Sequence, residues 1–443
     1  MHYDVAVMNY PLFCREIAPN ASARLLKPPY HTEPGGPWPV SLYIHVPFCD
    51  SLCDFCVYDR QLTLRKQAQI DAFVEALLKE IELYAQSPRF IDRKIDAIFV
   101  GGGTPTALSA SQLDRILKRL ARCFCLHESE ITVECNPQNA GDEKLAVLKE
   151  NGVTRVSTGI QSFDNRVRKK FNITVSGETA ELWLKRLQNY RFGDTSVDLI
   201  YGFPGVEKDI FMEDLRRASA LGMGHISVYK LAVFANTALY KRRRRGTSKS
   251  DDAYQDEVTL YAMFVEAHRF LLQSGYVLQS AQEYGKAGKR SAFWDATYDG
   301  FGDNLTMGTS GFGYVNGYCY QNESDVSKYI KLLNEKIIPV KRMSPQITSE
   351  QQRERAMVMG FRRGYVLREP FETAFGAPIE AFFDKNLLRL KDRGLVKEKG
   401  DRYILTERGL FYQGNVSADF MVSLFRGLSP LKKRMCIGNH EMP

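Results

Sequence analysis

The 443-residue chain lacks any apolar run close to the roughly 18 residues that a membrane-spanning helix needs. Its first residues, MHYDVAVMNYPLF, lack the basic-then-apolar order of a secretory signal. It also has no low-complexity segment and no recognised nucleic-acid-binding motif. These absences argue against a membrane helix, export and nucleic acid binding, so we expect a cytoplasmic protein without a nucleic acid partner.

The cysteine pattern does not indicate a disulfide framework, because the count of nine is odd and no export signal accompanies it. Three of the nine, Cys49, Cys53 and Cys56, lie together with the spacing Cys-x3-Cys-x2-Cys. Thiolates suit both zinc and iron–sulfur clusters. Structural zinc usually takes four ligands in two close pairs, and no fourth cysteine lies nearby. The triad therefore predicts a [4Fe–4S] cluster with one open iron.

Short β-rich runs alternate with segments of helical period from residue 41 onward, and they precede a helix predicted at 253–275. The six runs are 41–46, 97–103, 130–136, 155–161, 196–202 and 225–231. Strands that alternate with helices form βαβ units and a parallel sheet. The sequence therefore predicts an α/β protein with an open (βα)6 partial barrel of the TIM type. In such a barrel, chemistry gathers at the carboxyl ends of the strands.

The other segments differ from this barrel in composition. A proline-rich arm covers 1–40, and the barrel itself covers 41–290. A connecting region rich in aromatic residues and glycine follows at 291–345. Residues 346–425 contain the helix–strand–turn–strand order of a winged helix, and 426–443 form a tail. We therefore expect a barrel followed by a winged-helix-like domain.

Glycine-rich and polar segments stand at or near the ends of successive predicted strands. GGGTPT (101–106) follows the second strand, where glycines allow a ligand to approach the backbone closely. Glu134, Gln161, Asp198 and Tyr229 belong to the next four strands. Because the ends of parallel strands meet at one edge, these groups are expected to converge on one binding mouth.

The motifs YIHVPFC, GGGTPT, VECNP, GIQSF and DLIYGFPG, with the winged helix, resemble the HemN-like branch of the radical S-adenosylmethionine (SAM) superfamily over roughly 41–415. The resemblance implies a [4Fe–4S] cluster and SAM, in two copies, as cofactors. It also implies an electron donor such as flavodoxin or ferredoxin. The residues that it implies for SAM contact are Tyr43, Phe55, Gly102, Gly103, Thr104, Glu134, Gln161, Asp198, Ile200 and Ala232.

Two positions depart from the pattern of this branch. The coproporphyrinogen dehydrogenase of the branch has a further cysteine where this chain has Tyr58. The branch usually has an arginine where this chain has Ile173, so Ile173 cannot make the contact that this arginine makes to a SAM carboxylate. Arg168 or Lys170 is a candidate substitute.

Within the branch, Tyr58 favours a class C radical SAM methyltransferase, which uses two SAM molecules to methylate an sp2 carbon of a planar conjugated acceptor. Menaquinone is the expected acceptor, with haem in anaerobic haem degradation as an alternative tetrapyrrole. Two further alternatives are the oxygen-independent coproporphyrinogen III dehydrogenase and a non-enzymatic haem chaperone like HemW.

Aromatic residues between 293 and 320 would stack a planar acceptor, or they are ordinary core. They are Phe293, Trp294, Tyr298, Phe301, Phe312, Tyr314, Tyr318 and Tyr320. The candidate acid or base groups are Tyr229, Glu283, Tyr284 and Asp303.

The net charge of +8 is concentrated most clearly in the run Lys241–Arg245. One interpretation is a solvated basic loop. The other is a contact for anions, either substrate carboxylates or an anionic membrane surface reached through Arg242–Arg245. The second interpretation would make the protein membrane-associated.

Overall fold

The computed structural model describes residues 14–27, 38–244 and 253–425. Most of the predicted arm, the predicted tail 426–443 and Arg245 lie outside these ranges. Within them, no helix is both long and apolar enough to span a lipid bilayer. The first range contains a two-residue strand, β1 (Arg15–Glu16), and a 3-10 helix (Pro19–Leu26).

The barrel alternates strands and helices as its sequence predicts. Its strands are β2 (Val40–Val46), β3 (Phe48–Cys49), β4 (Gln61–Leu62), β5 (Ala97–Gly102), β6 (Glu130–Cys135), β7 (Arg155–Gln161), β8 (Asp194–Tyr201) and β9 (His225–Lys230). Its helices are α1 (Gln67–Ala85), α2 (Ala110–Cys123), α3 (Asp142–Glu150), α4 (Asn165–Lys170), α5 (Gly177–Asn189), α6 (Lys208–Ala220), α7 (Ala238–Arg244) and α8 (Glu257–Gln273). A 3-10 turn spans Pro105–Ala107.

Six of these strands pair in parallel in the order β2-β5-β6-β7-β8-β9, which confirms the predicted (βα)6 partial barrel. The alternation along β2 shows how the sequence builds it. Leu42, Ile44 and Val46 are fully buried in the main core, whereas Tyr43 and His45 lie on the other face and contact each other. Side chains of successive residues in a strand point to opposite faces, so one face packs the helices and the other lines the barrel.

The segment after the barrel extends the same sheet. It contains β10 (Tyr276–Leu278), β11 (Glu283–Lys286), α9 (Ala292–Tyr298), β12 (Asp303–Gly308), β13 (Phe312–Val315), β14 (Tyr318–Asn322), α10 (Val326–Asn334) and β15 (Val340–Met343). Strand β12 pairs in parallel with β2, and β13 to β15 continue antiparallel from it. Strands β11 and β10 close the opposite edge, next to β9. Residues 291–345 thus contribute strands β12 to β15 to the sheet. The predicted domain boundaries stay a prediction.

The C-terminal region is mainly helical and carries a small antiparallel sheet. It contains α11 (Ser349–Arg363), β16 (Tyr365–Leu367), α12 (Arg368–Phe375), α13 (Glu380–Asp392), β17 (Val396–Lys399), β18 (Arg402–Leu405), α14 (Glu407–Phe411), α15 (Gln413–Asp419) and α16 (Val422–Phe425). Strands β17 and β18 form a hairpin, and β16 pairs with β18. This arrangement confirms the winged-helix-like expectation. Helix α11 packs against α9.

Candidate functional site

The three clustered cysteines follow β2: Cys49 ends the two-residue strand β3, and Cys53 and Cys56 lie on the loop after it. We call residues 49–57 the cluster loop. Its backbone is gathered around one guanidinium. Arg60 donates Nη2 to the carbonyl of Cys53, at 2.9 Å, and Nη1 to the carbonyls of Cys56 and Tyr58, at 2.8 and 2.9 Å. The amide of Cys56 also donates to the carbonyl of Cys53. Arg60 therefore fixes the relative positions of the second and third cysteines.

Two further segments hold the cluster loop from outside. The first is the segment after α4. Its Phe171 carbonyl accepts a hydrogen bond from the Asp54 N–H (3.1 Å), and its Asn172 side chain donates to the Leu52 carbonyl (2.6 Å). The first turn of α7 donates the Leu239 N–H to the Asp54 carbonyl at 2.9 Å. The loop is thus fixed by the segments that follow β7 and β9.

The donor chemistry of the loop fits an iron–sulfur cluster. Burial raises the pKa of the Cys49 thiol to about 11 and that of Cys53 to about 12, and the neighbouring thiols contribute. Buried thiols of this kind become thiolates when a metal centre supplies positive charge. Within the described residues, no three metal-ligating side chains are placed to hold a single ion. Cluster cysteines bind different irons of one cubane, so they stand farther apart than the ligands of one zinc.

The glycine run at the end of β5 tolerates no side chain. Gly102 has φ of +116°, and a Cβ there would lie 2.9 Å from the His45 ring. A Cβ on Gly103 would lie 2.7 Å from the Phe48 carbonyl oxygen and 3.0 Å from the Cys49 sulfur. This backbone therefore packs directly against Cys49, so a ligand bound by the glycine run would lie beside the predicted cluster.

Two carboxyls face each other inside the barrel next to this run. Glu134 accepts a hydrogen bond from the Gly102 N–H at 3.1 Å. Burial raises the pKa of Glu134 to about 8, and the neighbouring Asp198 adds to the shift. Burial likewise raises the pKa of Asp198 to about 7, against a hydrogen bond from Ser227. Tyr229 lies beside Asp198, and burial together with this carboxyl raises its pKa well above its usual range.

The other predicted SAM contacts occupy the same end of the barrel. Gln161 ends β7 at a register irregularity and has φ of +68°. Phe55 meets Phe203 edge-to-face, with centroids 5.6 Å apart, and shares an apolar cluster with Ile200. Thr104 lies 3.5 Å from the Cys49 sulfur through its hydroxyl. Tyr43 contacts His45, and Ala232 follows β9. The SAM role of each residue stays a prediction.

The position of the missing arginine is apolar, and its proposed substitute is engaged elsewhere. Ile173 packs in the cluster of Phe55 and Ile200. Arg168 is buried and donates to the carbonyls of Ile160, Ser162, Thr174 and Val175 at 2.6–2.9 Å. Its guanidinium therefore binds backbone rather than facing the barrel mouth. Lys170 donates to the Pro204 carbonyl at 3.0 Å.

The structure brings two of the four acid–base candidates together. Tyr229 and Glu283 both lie near Asp198, and Glu283 forms a buried ion pair with Arg155 at 2.9 Å. Tyr284 is on the opposite face of β11, where its hydroxyl contacts His268 Nδ1 at 2.9 Å. Asp303 lies at the start of β12 and is paired with Arg89 at 2.6 Å. Because it aligns with Val40 at the start of β2, it stands at the end of the barrel away from the mouth.

The aromatic stripe does not form one slot. Phe293, Trp294 and Tyr298 lie on α9, where Phe293 and Trp294 pack on Phe99 inside the barrel. Tyr320 is fully buried, and its hydroxyl binds the Thr306 backbone. The other four residues are dispersed: Phe301 stacks on Trp38, Tyr314 lies under Arg355, Phe312 is half-exposed and Tyr318 lies on β14. Only the α9 residues face the site.

Sequence reasoning missed three residues that shape the site: His45, Arg60 and Asn172. His45 lies over Gly102 and donates to or accepts from Tyr43 at 3.2 Å. Arg60 and Asn172 donate to carbonyls of the cluster loop. The partners of Arg60 and Asn172 are backbone carbonyls, which every residue has, so no sequence pattern indicates these contacts. For His45, its position inside the motif YIHVPFC could have indicated a role in the site.

Comparison with known proteins supports this architecture. A radical SAM superfamily model matches residues 43–218, and a HemN C-terminal domain model matches residues 347–412. The chain is 30% identical over 393 residues to the heme chaperone HemW of Lactococcus lactis subsp. lactis. The aligned region covers 87% of this chain and 98% of that protein. It is 29% identical over 310 residues to the oxygen-independent coproporphyrinogen III oxidase of Escherichia coli, with 67% and 66% covered.

The chain belongs to the HemN-like branch of the radical SAM superfamily. Its fold is that of the solved E. coli coproporphyrinogen III oxidase (HemN), with a TM-score of 0.79, 24% identity, and coverage of 95% of this chain and 96% of that one. A [4Fe–4S] cluster and SAM are the cofactors of this family, and the cysteine loop and glycine cradle fit them.

The prediction of a class C methyltransferase acting on menaquinone is wrong. The similarity that extends over nearly the full length of the relatives is to haem chaperones and not to methyltransferases. The error came from Tyr58. The absence of a fourth cysteine argues against the dehydrogenase, but it does not distinguish a methyltransferase from a chaperone.

Proposed function

We propose that this chain is a haem-binding radical SAM protein of the chaperone type, which holds haem for delivery rather than converting it. The observation that carries the proposal is the similarity to HemW, which extends over 98% of that protein and through the C-terminal domain. Tyr58 favours this function over decarboxylation of coproporphyrinogen, because it stands where the dehydrogenase has its further cysteine.

In this proposal the cluster loop holds the cluster through Cys49, Cys53 and Cys56, and the glycine run receives SAM. When bound, the cluster supplies the electron that cleaves the SAM sulfonium. Glu134 offers a carboxyl oxygen to the amino group of SAM, and Gly102 orients that carboxyl. Phe55, Ile173 and Ile200 form an apolar wall that excludes water from one side of the ligand.

The haem site that we propose lies where α9 meets α11. Trp294 and Tyr298 stack with ring centroids 5.2 Å apart, and the Arg362 guanidinium lies over the Tyr298 ring at 5.4 Å. Arg363 and Arg290 converge on Asp295, each at 2.8 Å. Flat aromatic faces suit the macrocycle, and guanidinium groups suit its propionates. Tyr298 also lies within electrostatic reach of Tyr58, which links this site to the barrel mouth.

Anaerobic titration with haem, followed by absorbance, tests the proposal. We expect stoichiometric binding without conversion of haem, and about tenfold weaker binding by Arg362→Gln, because a lost charge-assisted contact costs roughly 1.5 kcal/mol. The matched control is Arg389→Gln, which removes an arginine paired with Asp419 in the C-terminal region. Release of carbon dioxide from coproporphyrinogen III, or haem binding that the Arg362 variant leaves unchanged, would contradict the proposal.

A further inference from the structure

The outer side of the cluster loop is bordered by lysines and arginines from two separate elements. One element is α7, whose last residues are Lys241, Arg242, Arg243 and Arg244. The other is α4, which ends in Lys169 and Lys170. The sequence alone showed the first group as a basic run far from the cysteines. The fold places both groups against the loop that carries the cluster ligands.

Helix α7 is attached directly to this loop. The Leu239 N–H donates to the Asp54 carbonyl, Asn236 donates to the Val57 carbonyl at 3.3 Å, and Arg242 forms an ion pair with Asp54. Asp54 lies between the second and third cluster cysteines. The basic run of α7 thus contacts the loop through Arg242, whose partner Asp54 is the residue next to Cys53.

The segment that directly follows helix α4 is attached to the same part of the loop. The Asp54 N–H donates to the Phe171 carbonyl, and Asn172 donates to the Leu52 carbonyl. Phe171 and Asn172 directly follow Lys169 and Lys170. Lys169 is exposed, as are Lys241 and Arg244 on α7.

The acidic groups of the loop offset only part of this charge. Asp54 is paired with Arg242, whereas Asp50 accepts hydrogen bonds at 2.7 Å from the neutral side chains of Thr63 and Asn139, and the basic side chains around the loop outnumber these two carboxyls. The Arg243 guanidinium lies over the Tyr254 ring, 4.5 Å from its centroid. We call Lys169, Lys170, Lys241, Arg243 and Arg244 the basic collar.

We propose that the basic collar docks an electron carrier protein with an acidic surface, which reduces the cluster through the outer side of the cluster loop. One electron leaves the reduced carrier, such as a flavodoxin hydroquinone, and enters the oxidised cluster; no bond to a heavy atom forms or breaks. All seven residues from Ser51 to Val57 are partly exposed, so a carrier seated on the collar contacts the loop itself. Opposite charges guide such an encounter and speed association. The inference rests on the cluster and not on the proposed haem function.

The test is calorimetric titration of the cluster-loaded protein with an oxidised flavodoxin of negative net charge. In the collar variant, Lys169, Lys241 and Arg244 are replaced by glutamate. We expect its Kd to rise at least tenfold at low ionic strength, and the difference to vanish near 1 M salt, where the Debye length is about 3 Å. Stopped-flow reduction of the cluster by flavodoxin hydroquinone should slow in parallel.

The matched control reverses three exposed lysines of the C-terminal region, Lys385, Lys397 and Lys399, and so changes the net charge equally. Its Kd should stay within about twofold of the parent protein. Equal weakening in both variants would show a general charge effect and overturn the proposal, as would unchanged binding in the collar variant. Loss of binding to phosphatidylglycerol vesicles, with flavodoxin binding intact, would assign the collar to a membrane surface instead. Iron content and haem affinity of the collar variant report that the cluster and the haem site are intact.

Discussion

Two glutamates, Glu80 in the outer wall of the barrel and Glu134 at its mouth, are both held out of bulk water, and burial raises the pKa of each to about 8. Their surroundings differ. Glu80 accepts hydrogen bonds from the Gly308 N–H (2.8 Å), the Asn322 amide (3.1 Å) and the Tyr329 hydroxyl (2.5 Å). Within the described ranges, Glu134 accepts the one from Gly102, and its neighbour is the like-charged Asp198.

The difference distinguishes Glu80, whose hydrogen bonds hold protein elements together, from Glu134, a predicted SAM contact. Three donors, from β12, β14 and α10, connect these elements to α1 through Glu80, because a buried carboxyl is tolerated when its lone pairs are satisfied. Among the residues that the structure describes, Gly102 alone donates to the Glu134 carboxyl, which lies near the second carboxyl of Asp198. An ammonium group in the mouth would relieve both, which is the electrostatic reason to expect SAM there.

Removal of the cluster ligands should have the largest effect on the mouth. Cys49, Cys53 and Cys56 changed together to alanine should abolish bound iron and SAM cleavage, while urea unfolding shifts little. The control is Cys123→Ala with Cys125→Ala, two cysteines that lie outside the site. Iron retained by the triple variant after anaerobic reconstitution would disprove the ligand assignment.

Replacement of each glutamate by alanine should affect different properties: stability for Glu80 and SAM binding for Glu134. Glu80→Ala removes the acceptor of the Gly308 N–H and the Tyr329 hydroxyl and one acceptor of the Asn322 amide, so we expect the free energy of unfolding to fall by about 3 kcal/mol. Glu134→Ala should cost less than about 1 kcal/mol but weaken SAM binding at least tenfold. Urea denaturation and equilibrium binding of SAM measure the two effects. Similar stability losses in both variants would remove the distinction.

The raised pKa of Glu80 should make the stability of the protein depend on pH. Its folded pKa of about 8 exceeds the ordinary value of 4.5, so the folded protein keeps a proton that the unfolded chain releases between these pH values. The free energy of unfolding therefore falls as pH rises through this window, by about 1.4 kcal/mol per pH unit for this group. Glu80→Gln should flatten the slope by that amount. An exposed control, Glu150→Gln, should leave the slope as it is.

The smallest expected effect concerns the cluster loop. Arg60→Lys keeps the charge but loses the fork that binds three carbonyls, so the second and third cysteines are held less firmly. We expect iron release to a chelator to quicken a few-fold. Arg65→Lys, a change at an exposed position nearby, serves as the control and should release iron at the parent rate.

The site could be predicted from the sequence wherever one local motif carried the information. The cysteine spacing, the glycine run and the polar residue near each strand end all follow from the order of elements, since parallel strands bring their carboxyl ends together. Asp303 and Tyr284 were placed among the candidates on residue type alone. Their actual partners, Arg89 and His268, are distant in sequence, so no pattern could have shown that they are engaged elsewhere.

The sequence by itself determined the chemistry class, the parallel barrel and the winged helix, because short spacings and strand–helix alternation are local properties. Only the tertiary structure decided which buried carboxyl is structural, that Arg168 binds backbone instead of facing the mouth, and that the basic run of α7 lies on the cluster loop. Each of these depends on contacts between segments far apart in the chain. Such contacts are set by packing and by the satisfaction of buried polar groups, which act after the local elements have formed.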